Sequence, residues 1–154
     1  MNSFIAGIVT VTSLALAPGA ASAAPGQVAL AGTVKLENTL VEAGKSRVVL
    51  SEPKIVVPGD RLQFSTRYTN LGGAVQNFVI TNPVPGAVML AGQAGDEVSV
   101  DGGMSWGRLA ALTIADGKGA RRAAQANDVT HIRWTISVIA AGASGAVEYR
   151  AIVR

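Results

Sequence analysis

The stretch that decides the fold class is Asp60 to Thr69, which reads DRLQFSTRYT. Within it the even-numbered residues from Leu62 to Tyr68 are mostly apolar, and the odd-numbered residues between them are polar. Side chains of a β-strand alternate between two faces, so this period of two is typical of a strand with one buried and one hydrated face. The pattern predicts a strand over residues 60–69 that buries Leu62, Phe64 and Tyr68.

The same alternation recurs nearer the C-terminus. Residues 129–138 predict a strand that buries Ile132, Trp134, Ile136 and Val138, with Trp134 as the core tryptophan. Further short runs, apolar or alternating and bounded by turn residues, also predict strands. These runs cover residues 28–36, 47–50, 75–82, 98–101, 109–114 and 147–153.

Gly, Pro, Asn and Asp cluster between the predicted strands. Because Gly permits positive φ and Pro fixes φ, each cluster predicts a turn. No long amphipathic helix is visible, and the Ala-rich residues 119–128 are predicted to form a loop. Short strands spaced about ten residues apart predict an all-β antiparallel sandwich or barrel.

The composition excludes several classes of site. The chain has 154 residues with 13 Lys and Arg, 10 Asp and Glu, one His and no Cys, and its formal net charge is +3. Such a length suits one domain. Without Cys there is no thiol nucleophile, no disulfide and no Cys-ligated zinc. The basic residues do not cluster beyond Arg121 and Arg122, so no nucleic-acid partner is expected.

The N-terminal segment predicts export. The first 34 residues carry no charged side chain, and residues 4–16 form a short apolar run that is followed by small residues up to Ala23. This is the layout of a secretory signal peptide, although the first three residues lack the usual Lys or Arg. We expect cleavage between Ala23 and Ala24, no transmembrane span afterwards, and location in the periplasm, at the cell surface or in the medium of a bacterium. The expected division is a signal peptide at residues 1–23 and one sandwich domain at residues 24–154.

Six short motifs, in a fixed order, carry a resemblance to a known family. They are VPGD at 57–60, YTNLG at 68–72, VITNPVPG at 79–86, VDGG at 100–103 with Trp106, DVTHIRW at 128–134 and AGASG at 141–145. From about Ile55 to the C-terminus the chain resembles the bacterial conserved-repeat domain, domain of unknown function eleven, an immunoglobulin-like sandwich of envelope proteins. Together with the strand pattern, the resemblance implies an all-β, immunoglobulin-like antiparallel sandwich of about seven or eight strands. It also implies a family-like core at residues 55–154 and no catalytic residues. The turn pattern agrees with it and predicts that the two C-terminal strands pair.

His131 is the only imidazole, and its parity places it on the strand face opposite Ile132 and Trp134. Acid–base or nucleophilic catalysis needs a nucleophile and an orienting acid beside such a group. The sequence shows no signature for either. We therefore expect no enzyme activity and no cofactor.

Predicted loops supply two weaker candidates for ligand binding. Trp106 lies in a Gly-rich stretch and is a candidate for stacking on a sugar ring. Acidic loop residues are candidates for a calcium site, because calcium prefers carboxylate and carbonyl oxygens, although Asp-Gly pairs also form turns. These residues are Asp96, Asp101 and Asp116, with Glu97 and Asp128 as further members.

Residues 28–36 precede the family-like core and alternate as a strand does. They form either the first strand of the chain's own sandwich or a donor strand that pairs with the open edge of a neighbouring subunit. The sequence leaves both alternatives open.

Together these features favour an exported, non-catalytic structural or adhesive module of the bacterial cell envelope. Its expected partners are other envelope proteins or further copies of itself, contacted through an edge strand. The alternative is a ligand-binding module for sugar or calcium that uses Trp106 and the Asp-bearing loops.

Overall fold

The computed structural model describes residues 28–92, 94–117 and 119–154. The predicted signal peptide and the cleavage position between Ala23 and Ala24 lie outside these residues. The described chain forms ten β-strands and two single-turn 3₁₀ helices, and none of its helical segments is long and apolar enough to cross a membrane. The strands are β1 (Val28–Glu42), β2 (Lys45–Ser51), β3 (Arg61–Asn70), β4 (Val75–Pro83), β5 (Val88–Leu90), β6 (Glu97–Ser99), β7 (Thr113–Ala115), β8 (Arg121–Ala123), β9 (His131–Ile139) and β10 (Ser144–Val153). The 3₁₀ turns are Leu109–Ala111 and Ala126–Asp128.

Two antiparallel sheets form a sandwich. One has five strands in the order β2-β1-β3-β10-β5, and the other has three in the order β4-β9-β6. A small separate hairpin consists of β7 and β8. The predicted all-β, immunoglobulin-like antiparallel sandwich is confirmed, with eight strands in its two layers.

The expected pairing of the two C-terminal strands is wrong. Strand β9 pairs with β4 and β6, whereas β10 pairs with β3 and β5 in the other sheet. Both strands carry an apolar face, and residues 140–143 between them take the chain from one layer to the other. The two apolar faces therefore meet across the core instead of lying side by side.

The core lies between the two sheets. Ile80, Ile132 and Ala151 are its most buried hydrophobic residues. The rings of Phe64 on β3 and Tyr149 on β10 stack with centroids 4.7 Å apart and planes 3° apart. Burial raises the pKa of Tyr149 to about 12. The alternating apolar residues of the stretch 60–69 thus face the core, as predicted.

Strand β9 follows its predicted faces only in part. Ile132 is buried, and Trp134 is half-buried and packs against the core. Val138, which was predicted to be buried, is 60% exposed, and its neighbour Ile139 is 2% exposed instead. The change of face falls where the β4–β9 ladder lacks one residue pair, beside Asn77, whose φ is 50°.

Three further local predictions differ from the structure. Residues 109–114 form a 3₁₀ turn followed by β7 rather than one strand, and the predicted loop 119–128 contains β8 and the second 3₁₀ turn. Strand β1 extends past its predicted end at Leu36 to Glu42. Segments as short as β5, β7 and β8 hold too few residues for a period of two to be recognised.

Asn70 ties together two turns at one end of the sandwich. Its side chain is fully buried, and its Nδ2 donates to the carbonyl oxygens of Gly73, Ile139 and Ala140 at 2.7–3.0 Å. Its Oδ1 accepts from the N–H of Gly72 at 3.1 Å. Since the whole amide group is hydrogen-bonded, this residue of the YTNLG motif has a structural role.

Candidate protein-interaction site

Strand β1 reaches beyond the body of the sandwich. Its residues 28–36 pair with β3, and its residues 36–42 pair with β2. Beyond Leu36 the β3 side of β1 has no partner strand within the described chain. Residues 37–50 therefore form a two-stranded ribbon, the arm, which turns at Ala43 and Gly44 with φ values of 50° and 75°.

The sequence predicts strands at residues 28–36 and 47–50 but not the ribbon that joins them. The local sequence signal for the ribbon is the pair Ala43-Gly44, which lies between two segments rich in residues that favour strands. Gly adopts positive φ without strain, so a small turn of this kind is where a hairpin reverses.

Both faces of the arm are exposed. All residues from 39 to 48 are exposed. Opposite residues of antiparallel strands share a face, so the register places Val41, Val48 and Leu50 on one face and Leu40 on the other. Val41 is 68% exposed. A two-stranded ribbon of this kind is marginally stable in water by itself.

The linker that follows β2 adds three apolar side chains. Ile55 is 81% exposed, and its two successors are also exposed. With the apolar residues of the ribbon they form a set that we call the arm hydrophobics. The set comprises Leu40, Val41, Val48, Leu50, Ile55, Val56 and Val57. These seven are more than half of the twelve large hydrophobic residues found exposed in the described chain. Exposed apolar side chains in such number are typical of interaction surfaces.

Ion pairs fix the base of the arm to the sandwich. The side chain of Glu37, the first arm residue, is 7% exposed and lies between Arg61 of β3 and Arg150 of β10. Its Oε1 accepts from Arg150 Nε, and its Oε2 lies 3.5 Å from Arg61 Nε. Lys35 and Glu52 form a further ion pair that joins β1 to the linker. The arm is thus held at its base and exposed toward its tip.

Charged side chains mark the tip of the arm. Lys45 and Arg47 lie on β2, and Arg47 Nε is 3.6 Å from Glu42 Oε2. Both members of that pair are exposed, so its net stabilisation is small. Charges on an edge strand oppose pairing with another strand. The register places these charges on the face of Leu40, so the apolar face of the arm is the one that carries Val41, Val48 and Leu50.

Trp106, the predicted sugar-stacking residue, is half-buried. Its Nε1 donates to the carbonyl oxygen of Gly103 at 2.9 Å. The guanidinium carbon of Arg133 lies 4.5 Å from the ring centroid, and the His131 ring approaches edge-on at 6.4 Å. Arg133 is itself held by Glu97. A cation therefore already covers one face of the indole.

The predicted calcium ligands have separate local partners. Asp96 Oδ2 accepts from the N–H of Thr135 at 2.6 Å, and Asp116 Oδ1 accepts from the N–H of Ala120 at 2.8 Å. Within the described ranges, no group of three or more His, Cys, Asp or Glu side chains is placed to hold a metal ion. The structure does not gather Asp96, Asp101 and Asp116 into one site.

Asp101 organises the turn that follows β6. Its Oδ1 accepts from Ser99 Oγ at 2.7 Å and from the N–H of Ser105 at 2.9 Å, and its Oδ2 accepts from Ser105 Oγ. These hydrogen bonds, those from Ser105 first, lower the pKa of Asp101 to about 2. The buried Ser99 hydroxyl also accepts from the N–H of Gly103 at 2.9 Å. The carboxylate therefore acts as a turn former.

A cavity of about 510 Å³ opens beside β5, β6 and the first 3₁₀ turn. Its walls are mostly small or apolar, and Trp106 is not among them. They consist of Leu90, Gly92, Ala94, Gly95, Asp96, Glu97, Val98, Gly107, Arg108, Leu109, Ala110 and Ala124. The two carboxylates in the wall are already engaged by Thr135 and Arg133. The remaining charged residue of the wall is Arg108. The cavity is therefore mostly apolar and has one basic side chain at its wall.

No family model, no curated protein and no solved structure matches this chain. The resemblance of residues 55–154 to domain of unknown function eleven therefore stays a prediction. The candidate site rests on the geometry of the arm alone.

Proposed function

We propose that this chain is an exported, non-catalytic structural or adhesive module of the bacterial cell envelope that acts through protein–protein contacts. The observation that carries the proposal is the arm together with the linker that follows β2, because these two segments hold seven of the twelve exposed large hydrophobic residues of the described chain. Its partners are other envelope proteins or further copies of the chain.

Burial of the arm hydrophobics supplies the driving force. Complete burial of one Val, Leu or Ile side chain stabilises a complex by roughly 1.5–3 kcal/mol. Several such side chains, presented on one ribbon, therefore favour an apolar partner surface. The ribbon also gains from a partner, because two strands with both faces hydrated are marginally stable.

The anchored base of the arm lowers the entropic cost of binding. Glu37 is held by Arg61 and Arg150, and Lys35 is held by Glu52. A segment that is already ordered loses less conformational entropy when a partner binds. An anchored ribbon is therefore better suited to protein–protein contacts than an unanchored loop would be.

The structure offers less support for the ligand-binding alternative. Arg133 already covers one face of the Trp106 indole, so that face is not open to a sugar ring. A calcium site at Asp96, Asp101 and Asp116 has to form from carboxylates that are engaged separately. The non-catalytic part of the proposal rests on the sequence, with its single His and no Cys, and export rests on the N-terminal segment.

Site-specific photo-cross-linking in intact bacteria tests the proposal. A photoreactive amino acid replaces Val48 on the arm, and in a control it replaces Met104, which is more exposed and lies outside the arm. We expect adducts with envelope proteins or with the chain itself at Val48 and few at Met104. Equal adduct yields at both positions, or a chain retained in the cytoplasm, contradict the proposal.

A further inference from the structure

One edge of β1 is free at its N-terminal end. Strand β3 occupies one edge of β1 at residues 28–36, and β2 occupies the opposite edge at residues 36–42. On the β2 side, residues 28–34 meet no partner strand within the described ranges. Residues 29–33 are exposed. Their outward backbone N–H and C=O groups are therefore available to another strand.

This edge lacks the features that usually protect an edge strand. Residues 28–34 read VALAGTV and contain neither a charged residue nor Pro. In contrast, β2 carries Lys45 and Arg47, and β4 contains Asn77 with φ of 50° and ends at Pro83. Charge, Pro and irregular backbone oppose strand addition. An uncharged, regular edge admits it.

We propose that this edge pairs antiparallel with the same edge of a second copy of the chain, centred on Ala31. The inference rests on the proposed function, because it names the partner and the register of a protein contact. In this register the facing pairs are Val28 with Val34, Ala29 with Thr33, and Leu30 with Gly32. Every pair is uncharged, and Gly32 leaves open space, since a Cβ added there meets no heavy atom within 4 Å.

The shape of the edge favours a second copy as its occupant. Strand β2 closes the edge from Leu36 onward, so the free stretch suits a short strand of similar length. Because the arm continues the C-terminal end of β1, antiparallel pairing about Ala31 directs the two arms in opposite directions. An uncharged edge is also matched best by another uncharged edge, because no charged side chain then loses its hydration.

The interface is small, and this sets the expected affinity. The seven residues 28–34 of each copy are fewer than the roughly 20–30 residues on each side of a standard interface. The dimer is therefore weak and forms at high protein concentration. It joins two five-stranded sheets edge to edge and leaves the arm hydrophobics free for other contacts.

Single-cysteine cross-linking tests the register, because the chain has no Cys of its own. Ala31→Cys places two thiols opposite each other at the two-fold axis, and Met104→Cys, at an 83% exposed position, reports chance encounters. Under mild oxidation of the full chain, Ala31→Cys forms a linked dimer at least about tenfold faster than Met104→Cys. Equal rates overturn the proposal.

Charge variants test the pairing without a covalent link. Ala31→Lys sets like charges opposite each other, so sedimentation shows a monomer at concentrations where the unaltered chain dimerises. An equimolar mixture of Ala31→Lys and Ala31→Glu restores a dimer with one chain of each kind, and Gly32→Ala keeps the dimer. Since Ala31 faces Arg67 of β3, the melting temperature of each variant is measured to confirm folding. An unaltered chain that stays monomeric at about 1 mM overturns the proposal.

The two proposals fail separately. Ala31→Lys leaves the arm hydrophobics unchanged, so photo-adducts at Val48 persist in this variant even when pairing of two copies is lost. If Val48 gives no adducts while Ala31→Cys cross-links rapidly, the role of the arm is contradicted and the edge pairing stands.

Discussion

Glu37 of β1 and Arg150 of β10 are joined by a hydrogen-bonded ion pair, although β3 lies between their strands. Arg61 of β3 approaches the other oxygen of the same carboxylate. Three neighbouring strands thus share one nearly buried acidic side chain at the point where β1 leaves the sandwich. Because charge-assisted hydrogen bonds are stronger than neutral ones, this contact helps to hold the base of the arm against the sandwich.

Glu37→Gln should destabilise the fold by about 1–2 kcal/mol, because a neutral amide in this nearly buried position replaces charge-assisted hydrogen bonding with weaker neutral contacts. The loss is limited because the side chains of Arg61 and Arg150 are 55% and 58% exposed and keep much of their hydration. Urea unfolding measures the loss, and amide hydrogen exchange over residues 37–50 should become faster. Glu42→Gln is the matched control. Its side chain is 72% exposed, so its effect should stay below about 0.5 kcal/mol. Equal losses in the two variants would show that Glu37 does not anchor the arm.

Asn70→Ala should cost about 2–3 kcal/mol, because the carbonyl groups that its amide satisfies then lose a buried partner. Those groups belong to both the β3–β4 turn and the β9–β10 turn. Chemical denaturation measures the change. The control is Leu71→Ala at the adjacent exposed position, which should stay within about 0.5 kcal/mol of the unaltered chain. A similar loss of stability in both variants would show that the hydrogen bonds of Asn70 do not hold the two turns together.

The turn at Asp101 should respond to acid in a defined range. The folded pKa of Asp101 is about 2, below its usual 3.8, so the carboxylate supports the turn above about pH 4 and this support is lost as the pH falls to about 2. The fluorescence of Trp106, which is hydrogen-bonded to Gly103 in the same turn, reports the change in a Trp134→Phe background. Asp101→Asn should remove the transition. A fluorescence transition centred near pH 4 in the chain that keeps Asp101 would contradict the lowered pKa of this residue.

Neighbouring residues at the end of β9 should differ sharply in their effect on stability. Ile139→Ala should cost about 2–4 kcal/mol, because the side chain is almost fully buried and leaves a cavity. Val138→Ala, at a 60% exposed position, should cost less than about 0.5 kcal/mol. Thermal and urea unfolding compare the two variants. A larger loss of stability for Val138→Ala than for Ile139→Ala would show that Val138 faces the core, as simple alternation predicts.

The sandwich could be predicted from the sequence because its evidence is local. Alternation in residues 60–69 and 147–153 assigns side chains to faces regardless of which strands become neighbours. Pairing is not local in this sense. Strands β9 and β10 follow each other closely in the chain and yet lie in different sheets, because each gains more by burying its apolar face across the core.

The candidate site could be predicted only in part. The strand segments that build it are visible in the sequence, but Val41 and Val48 have the same residue type and spacing as core positions. Their exposure follows from the start of β3 at Arg61, which leaves β1 without that neighbour beyond Leu36. The predicted ligand residues Asp101 and Trp106 lie in a compact turn, where their polar atoms are used to hold the turn itself.

The sequence by itself determined that this chain forms short alternating strands, that it has no thiol chemistry and that residues 28–34 are uncharged. Only the tertiary structure decided that β1 has one covered and one open edge, that the ribbon beyond it is hydrated on both faces, and that Glu37 is held at its base. The physical reason is that composition and periodicity report only on local properties, such as whether a few consecutive residues form a strand. The exposure of a strand's side chains and the pairing of its edges depend on which strands, distant in the sequence, lie beside it.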